Sequence, residues 1–99
     1  MRSRLVLAAL TLFAFPLASI AQGADAGRNL AGTCSACHNI TGHAVTGMPG
    51  IAGRSKDALL RTLKDFKEGK RPATVMHQLA KGYTDGQLEL IAAYFAAQK

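Results

Sequence analysis

The chain has 99 residues, 48% of them hydrophobic, and its twelve Lys and Arg against six Asp and Glu give a net charge of +6. The basic residues are scattered and no recognition motif accompanies them, which excludes a nucleic-acid-binding class. Cys34 and Cys37 are separated by only two residues, so a disulfide between them would close almost no loop, which excludes a disulfide-stapled scaffold.

The N-terminus reads as an export signal. Arg2 and Arg4 precede an apolar run from Leu5 to Leu17, and Ser19 and Ala21 follow at the spacing a signal peptidase recognises. The run is short for a bilayer span and Pro16 interrupts it, so cleavage rather than anchoring is expected, with residues 1–21 removed and no membrane span left. Ser3 separates the two arginines, which points to export of an unfolded chain into the periplasm. The remainder, residues 22–99, is one small domain, a size at which a core alone seldom suffices and a staple or a large apolar group is needed.

The first element expected in that domain is a helix over residues 25–37, with Asp25 as its N-cap. It carries Cys34-Ser35-Ala36-Cys37-His38, the spacing of a c-type haem attachment site. On a helix, positions 34, 37 and 38 share one face. Two thiols can then reach the vinyl groups along one porphyrin edge while the adjacent imidazole lies beneath the iron. A thiol-disulfide redox motif would need a strand before it, and no convincing strand is present. A zinc site recruiting Cys34, Cys37, His38 and His43 would crowd two adjacent donors around one tetrahedral ion, without the long spacer of a finger.

Residues 39–54 hold Gly42, Gly47, Gly50, Gly53 and Pro49, too many breakers for regular structure, and read as a wrapping loop. Ser55 can cap a helix over 56–68, in which Leu59, Leu63 and Phe66 recur on one face and after which Gly69 is a stop. A loop-like stretch follows Arg71-Pro72 and contains Met76. Thr84 and Gln87 form a capping box for a last helix over 85–98, with Leu88, Ile91, Tyr94 and Phe95 as its apolar face. The residues leave the sixth iron ligand open among Met48, Met76, His43 and His77. Met48 lies ten residues after His38, and a chain of that length spans up to roughly 33 Å, so reach does not separate the candidates.

These features resemble the class I cytochromes c over nearly all of residues 22–99. The resemblance implies an all-α fold, with helices wrapped around one covalently bound haem c. It implies a crossing of the first and last helices where Gly27 and Leu30 meet Tyr94, although the family usually has glycine one residue earlier and an aromatic at the Leu30 position. Met48-Pro49-Gly50-Ile51-Ala52-Gly53 is similar to the family loop whose proline carbonyl accepts a hydrogen bond from the haem histidine, so Pro49 would orient His38 and strengthen it as a donor. That would keep Met48 on the His38 side, and Met76 resembles the family's distal methionine.

From Pro49 onward the chain also resembles the cytochrome subunits of flavocytochrome c sulfide dehydrogenases, through Asp65-Phe66-Lys67-Glu68-Gly69-Lys70-Arg71-Pro72-Ala73-Thr74-Val75-Met76-His77-Gln78-Leu79 and Ala92-Ala93-Tyr94-Phe95. That resemblance implies a non-enzymatic electron carrier, reduced by a flavoprotein sulfide dehydrogenase and passing electrons onward. The alternatives are a general diffusible carrier serving another redox protein, and a haem enzyme or sensor with an open distal site. Lys64, Lys67, Lys70, Arg71 and Lys81 bracket the distal segment and could meet an acidic partner.

Overall fold

The computed structural model describes residues 18–99, and the export segment expected over 1–21 lies almost wholly outside them. Five helices follow in order: α1 (Ala18–Ala31), α2 (Ser35–His38), α3 (Lys56–Lys67), α4 (Met76–Lys81) and α5 (Asp85–Ala96). Among the described residues there is no strand beyond one isolated bridge, Val45 with Met48. No described helix is long and apolar enough to cross a membrane.

The first helix differs from the expected 25–37 span at both ends. It is already helical at Ala18, the first described residue, because the stretch from Ala18 to Asp25 is alanine-rich and proline-free and carries the helix through Gly23. It ends at Ala31, where Gly32 and the β-branched Thr33 lower helix propensity. A tight turn joins it to α2, with Cys34 N–H donating to Ala31 O at 3.0 Å and Ser35 Oγ donating to Gly32 O.

Local signals set the boundaries of α3 and α5. Ser55 Oγ accepts from Ala58 N–H at 3.1 Å at the start of α3. At its end Gly69, at φ +74°, allows a Schellman closure: Lys70 N–H donates to Asp65 O at 2.9 Å and Gly69 N–H to Phe66 O at 3.1 Å. Thr84 and Gln87 exchange both bonds of the capping box on α5, at 3.1 and 2.9 Å. Lys67 bonds Asp85 at 3.1 Å across α3 and α5 and holds that carboxyl below its usual range.

α5 is the central element. Its Leu88, Ile91, Ala92 and Phe95 are almost fully buried and meet Ala31 of α1 and Leu59 of α3. Where α1 crosses α5, Gly27 is buried so closely that an added Cβ would stand 2.9 Å from the Leu90 carbonyl oxygen and 3.5 Å from Tyr94 Cβ. The crossing is the one expected from Gly27 and Tyr94. Gly27→Ala should force the helices apart at about 1–3 kcal/mol, which outweighs alanine's better helix propensity of about 1 kcal/mol. A melting temperature about 5 °C lower by circular dichroism is the expected result, and an unchanged one would remove the close crossing.

Candidate cofactor site

Between the attachment segment, α3, α4 and α5 lies a cavity of about 310 Å³, within the range of roughly 300–1,000 Å³ typical of ligand sites. Its walls are largely apolar, with Leu59, Leu63, Phe66, Leu88, Ile91 and Phe95 among them. Cys34, Cys37, His38, Met48, Pro49 and Met76 all line it, whereas His43 and His77 do not. His43 is exposed, and Nδ1 of the half-buried His77 has no hydrogen-bond partner among the described residues.

His38 is 8% exposed, the sole buried polar side chain among the described residues, and its Nδ1 lies 3.2 Å from the Pro49 carbonyl oxygen. A carbonyl oxygen can only accept, so the ring proton is on Nδ1 and the Nε2 lone pair is left for another partner. The backbone delivers Pro49 to that position through a folded loop. Gly42 O accepts from Ile51 N–H at 2.7 Å and Ala52 N–H at 2.9 Å, and Gly42, Gly47 and Gly53 all adopt positive φ.

The two thiols differ. Burial pushes the half-buried Cys34 thiol above its usual range, while Cys37 is exposed. A thiol-redox nucleophile needs a depressed value instead, which disfavours that reading for Cys34. Nor do three or more His, Cys, Asp or Glu side chains converge as a metal-binding group among the described residues. A structural zinc site uses four such donors.

Met76 is not in a loop as expected; it is the first residue of α4, and half-buried. The sequence carried the signal for that helix. From Thr74 to Lys81 there is no Gly or Pro, and Gly82 is a stop. Arg54, Thr33, Thr62 and Tyr83 also line the cavity, and sequence periodicity had not marked them. The Arg71 guanidinium lies 5.5 Å from the Phe66 ring centroid at the same cavity.

Comparison with known proteins adds the lineage. No protein-family model matches the chain. It is 34% identical to cytochrome c-554(548) of Halomonas halodenitrificans over 80% of this chain and 100% of that one. The chain belongs to the class I cytochromes c. It is also 42% identical to the cytochrome subunit of sulfide dehydrogenase of Chlorobaculum tepidum over 70% of its length, and 40% identical to cytochrome c4 of Pseudomonas aeruginosa over 100%. It spans only 63% and 50% of those two proteins. Cytochromes of this family transfer electrons through haem c, which is therefore the cofactor of this chain. The cavity fits such a group: an apolar container with two cysteine sulfurs, one imidazole of fixed tautomer and two thioether sulfurs on its walls.

Proposed function

We propose that the chain is a periplasmic monohaem electron carrier, with residues 1–21 removed on export and residues 22–99 forming the haem domain. Cys34 and Cys37 hold the haem by thioether bonds, His38 and Met76 ligate its iron, and Pro49 orients His38. The observation that carries this reading is the contact of His38 Nδ1 with Pro49 O at 3.2 Å, in a cavity that Cys34, Cys37 and Met76 also line. The iron supplies one-electron oxidation and reduction. The Pro49 carbonyl fixes the imidazole ring and makes it a stronger donor, a neutral methionine sulfur favours the reduced metal, and the apolar walls exclude water.

For the electron donor we take a flavoprotein sulfide dehydrogenase, supported by the 42% identity to a sulfide dehydrogenase cytochrome subunit. Val75 and Leu79, 51% and 42% exposed, line the cavity and offer an apolar contact beside it. Arg71 lines the cavity too, and Lys81 ends the same short helix as Leu79. Lys67 and Lys70 contribute less to docking than their charge suggests, because they are paired with Asp85 at 3.1 Å and Glu68 at 2.7 Å. An acidic partner with an apolar centre fits this surface.

The test mixes the ferric holoprotein with the flavoprotein and sulfide across a salt series while haem reduction and co-elution are followed. Reduction is expected, with a complex that survives moderate salt through its apolar centre and an association rate that falls as salt rises. At low salt Lys81→Glu should slow association roughly threefold or more, and Lys70→Glu less. Rapid reduction without co-elution would make the protein a diffusing carrier. No reduction at any salt would refute the sulfide assignment and leave a general carrier for another redox protein.

A further inference from the structure

The loop that carries Pro49 is gripped at both ends by consecutive residues of α5. Tyr94 Oη donates to the Ile40 carbonyl at 2.9 Å, a part-buried bond spanning 54 residues. Gly53 N–H donates to the Phe95 carbonyl at 3.1 Å. Between these points the Phe95 ring lies beneath Gly42, where an added Cβ would meet Phe95 Cδ1 at 2.8 Å. The loop thus has little freedom of its own, and α5 decides where it sits.

The grip begins next to the histidine. Asn39, between His38 and Ile40, has φ +65°, ψ +144°, a conformation a side-chain-bearing residue holds only when its surroundings impose it. The Tyr94 hydroxyl holds the following residue in place. The His38 to Pro49 separation of 3.2 Å is already at the long end for an N–H···O bond, so a small movement of the loop would lose it. The tyrosine ring does not need its hydroxyl for packing. It stands edge-on to Phe95 with centroids 5.1 Å apart, which phenylalanine would reproduce.

We propose that Tyr94 is a positioning residue for His38, and that its hydroxyl, through Ile40 and the loop, sets how firmly the Pro49 carbonyl holds the Nδ1 proton. This rests on the reading of His38 as an iron ligand. The bond strengthens the imidazole as a donor, so loosening it favours the reduced metal.

The experiment uses haem-loaded Tyr94→Phe and follows the solvent exchange of the His38 Nδ1 proton by NMR, together with the reduction potential. Exchange about fivefold faster than wild type, the factor one neutral hydrogen bond typically carries, and a higher potential are expected. Leu60→Ala is the control, because Leu60 packs against the core without lining the haem cavity. It should lower stability while leaving both readouts at wild-type values. Wild-type exchange and potential in Tyr94→Phe, or equal changes in Leu60→Ala, would overturn the proposal. A wild-type holoprotein whose His38 does not ligate iron would overturn the underlying reading instead, and this one with it.

Discussion

Replacing Cys34 and Cys37 together by serine is expected to yield a protein with no covalent haem and no cooperative fold. The cavity of about 310 Å³ lies against Leu59, Leu88, Ile91 and Phe95, which supply most of the buried core. Without haem that space admits water, and its apolar walls lose their burial at roughly 25 cal/mol per Å², against a whole stability of only about 5–15 kcal/mol for a small domain. The chain cannot collapse to close the space cheaply, because α1 and α5 already touch backbone to backbone at Gly27 and the loop is tied to α5 at Ile40 and Gly53. Far-UV circular dichroism with thermal unfolding checks the variant. Mass spectrometry of the denatured wild type should find one haem on the peptide containing Cys34 and Cys37. A double variant melting cooperatively near the wild-type temperature, or haem released from the wild type on denaturation, would overturn the assignment.

The second large effect is expected at Met76. Its replacement by alanine should abolish the far-red sulfur-to-iron band of the ferric protein and lower the reduction potential by on the order of 100 mV, a fraction of the roughly 0.8 V that axial ligation spans. Met48 shares the cavity, so the cavity wall does not separate the two methionines. The argument for Met76 comes from the loop. Met48 directly precedes Pro49, whose carbonyl is bonded to His38, and Met48 N–H is tied at 2.9 Å to Val45. If His38 ligates the iron, a residue tethered beside it through Pro49 would be held on the His38 side of the group. Met76 stands on a separate element, at the start of α4, free of that constraint. Met48→Ala should therefore leave band and potential nearly intact. The reverse pattern would transfer the role to Met48, and persistence of the band in both variants would exclude each of them as the sulfur donor.

Much of the fold was legible because its signals are local. Ser55, Gly69 and the Thr84–Gln87 pair each act within about one helical turn, so α3 and α5 start where their caps stand and stop within a residue or two of the expected ends. The attachment motif is equally local, five consecutive residues whose spacing brings two sulfurs and an imidazole to one wall. What misled was competition between neighbouring tendencies. Asp25 is a good cap, yet the alanine-rich stretch before it continues the helix past that point. Arg71-Pro72 marks a loop, but the breaker-free run that follows winds into α4 and carries Met76 with it.

By itself, the sequence determined the helical class, the caps of α3 and α5 and the glycine at the helix crossing. Each of these depends on residues close together in the chain or on a resemblance in residue pattern. The tertiary structure alone decided that α5 holds both ends of the Pro49 loop, that Lys67 is already paired with Asp85, and that Arg54 and Tyr83 join the cavity wall. These contacts join residues from 18 to 54 positions apart where the separation is measured. No periodicity or spacing rule reaches that far, because the partner of each group is chosen by how packed helices bring distant backbone together rather than by the residues beside it.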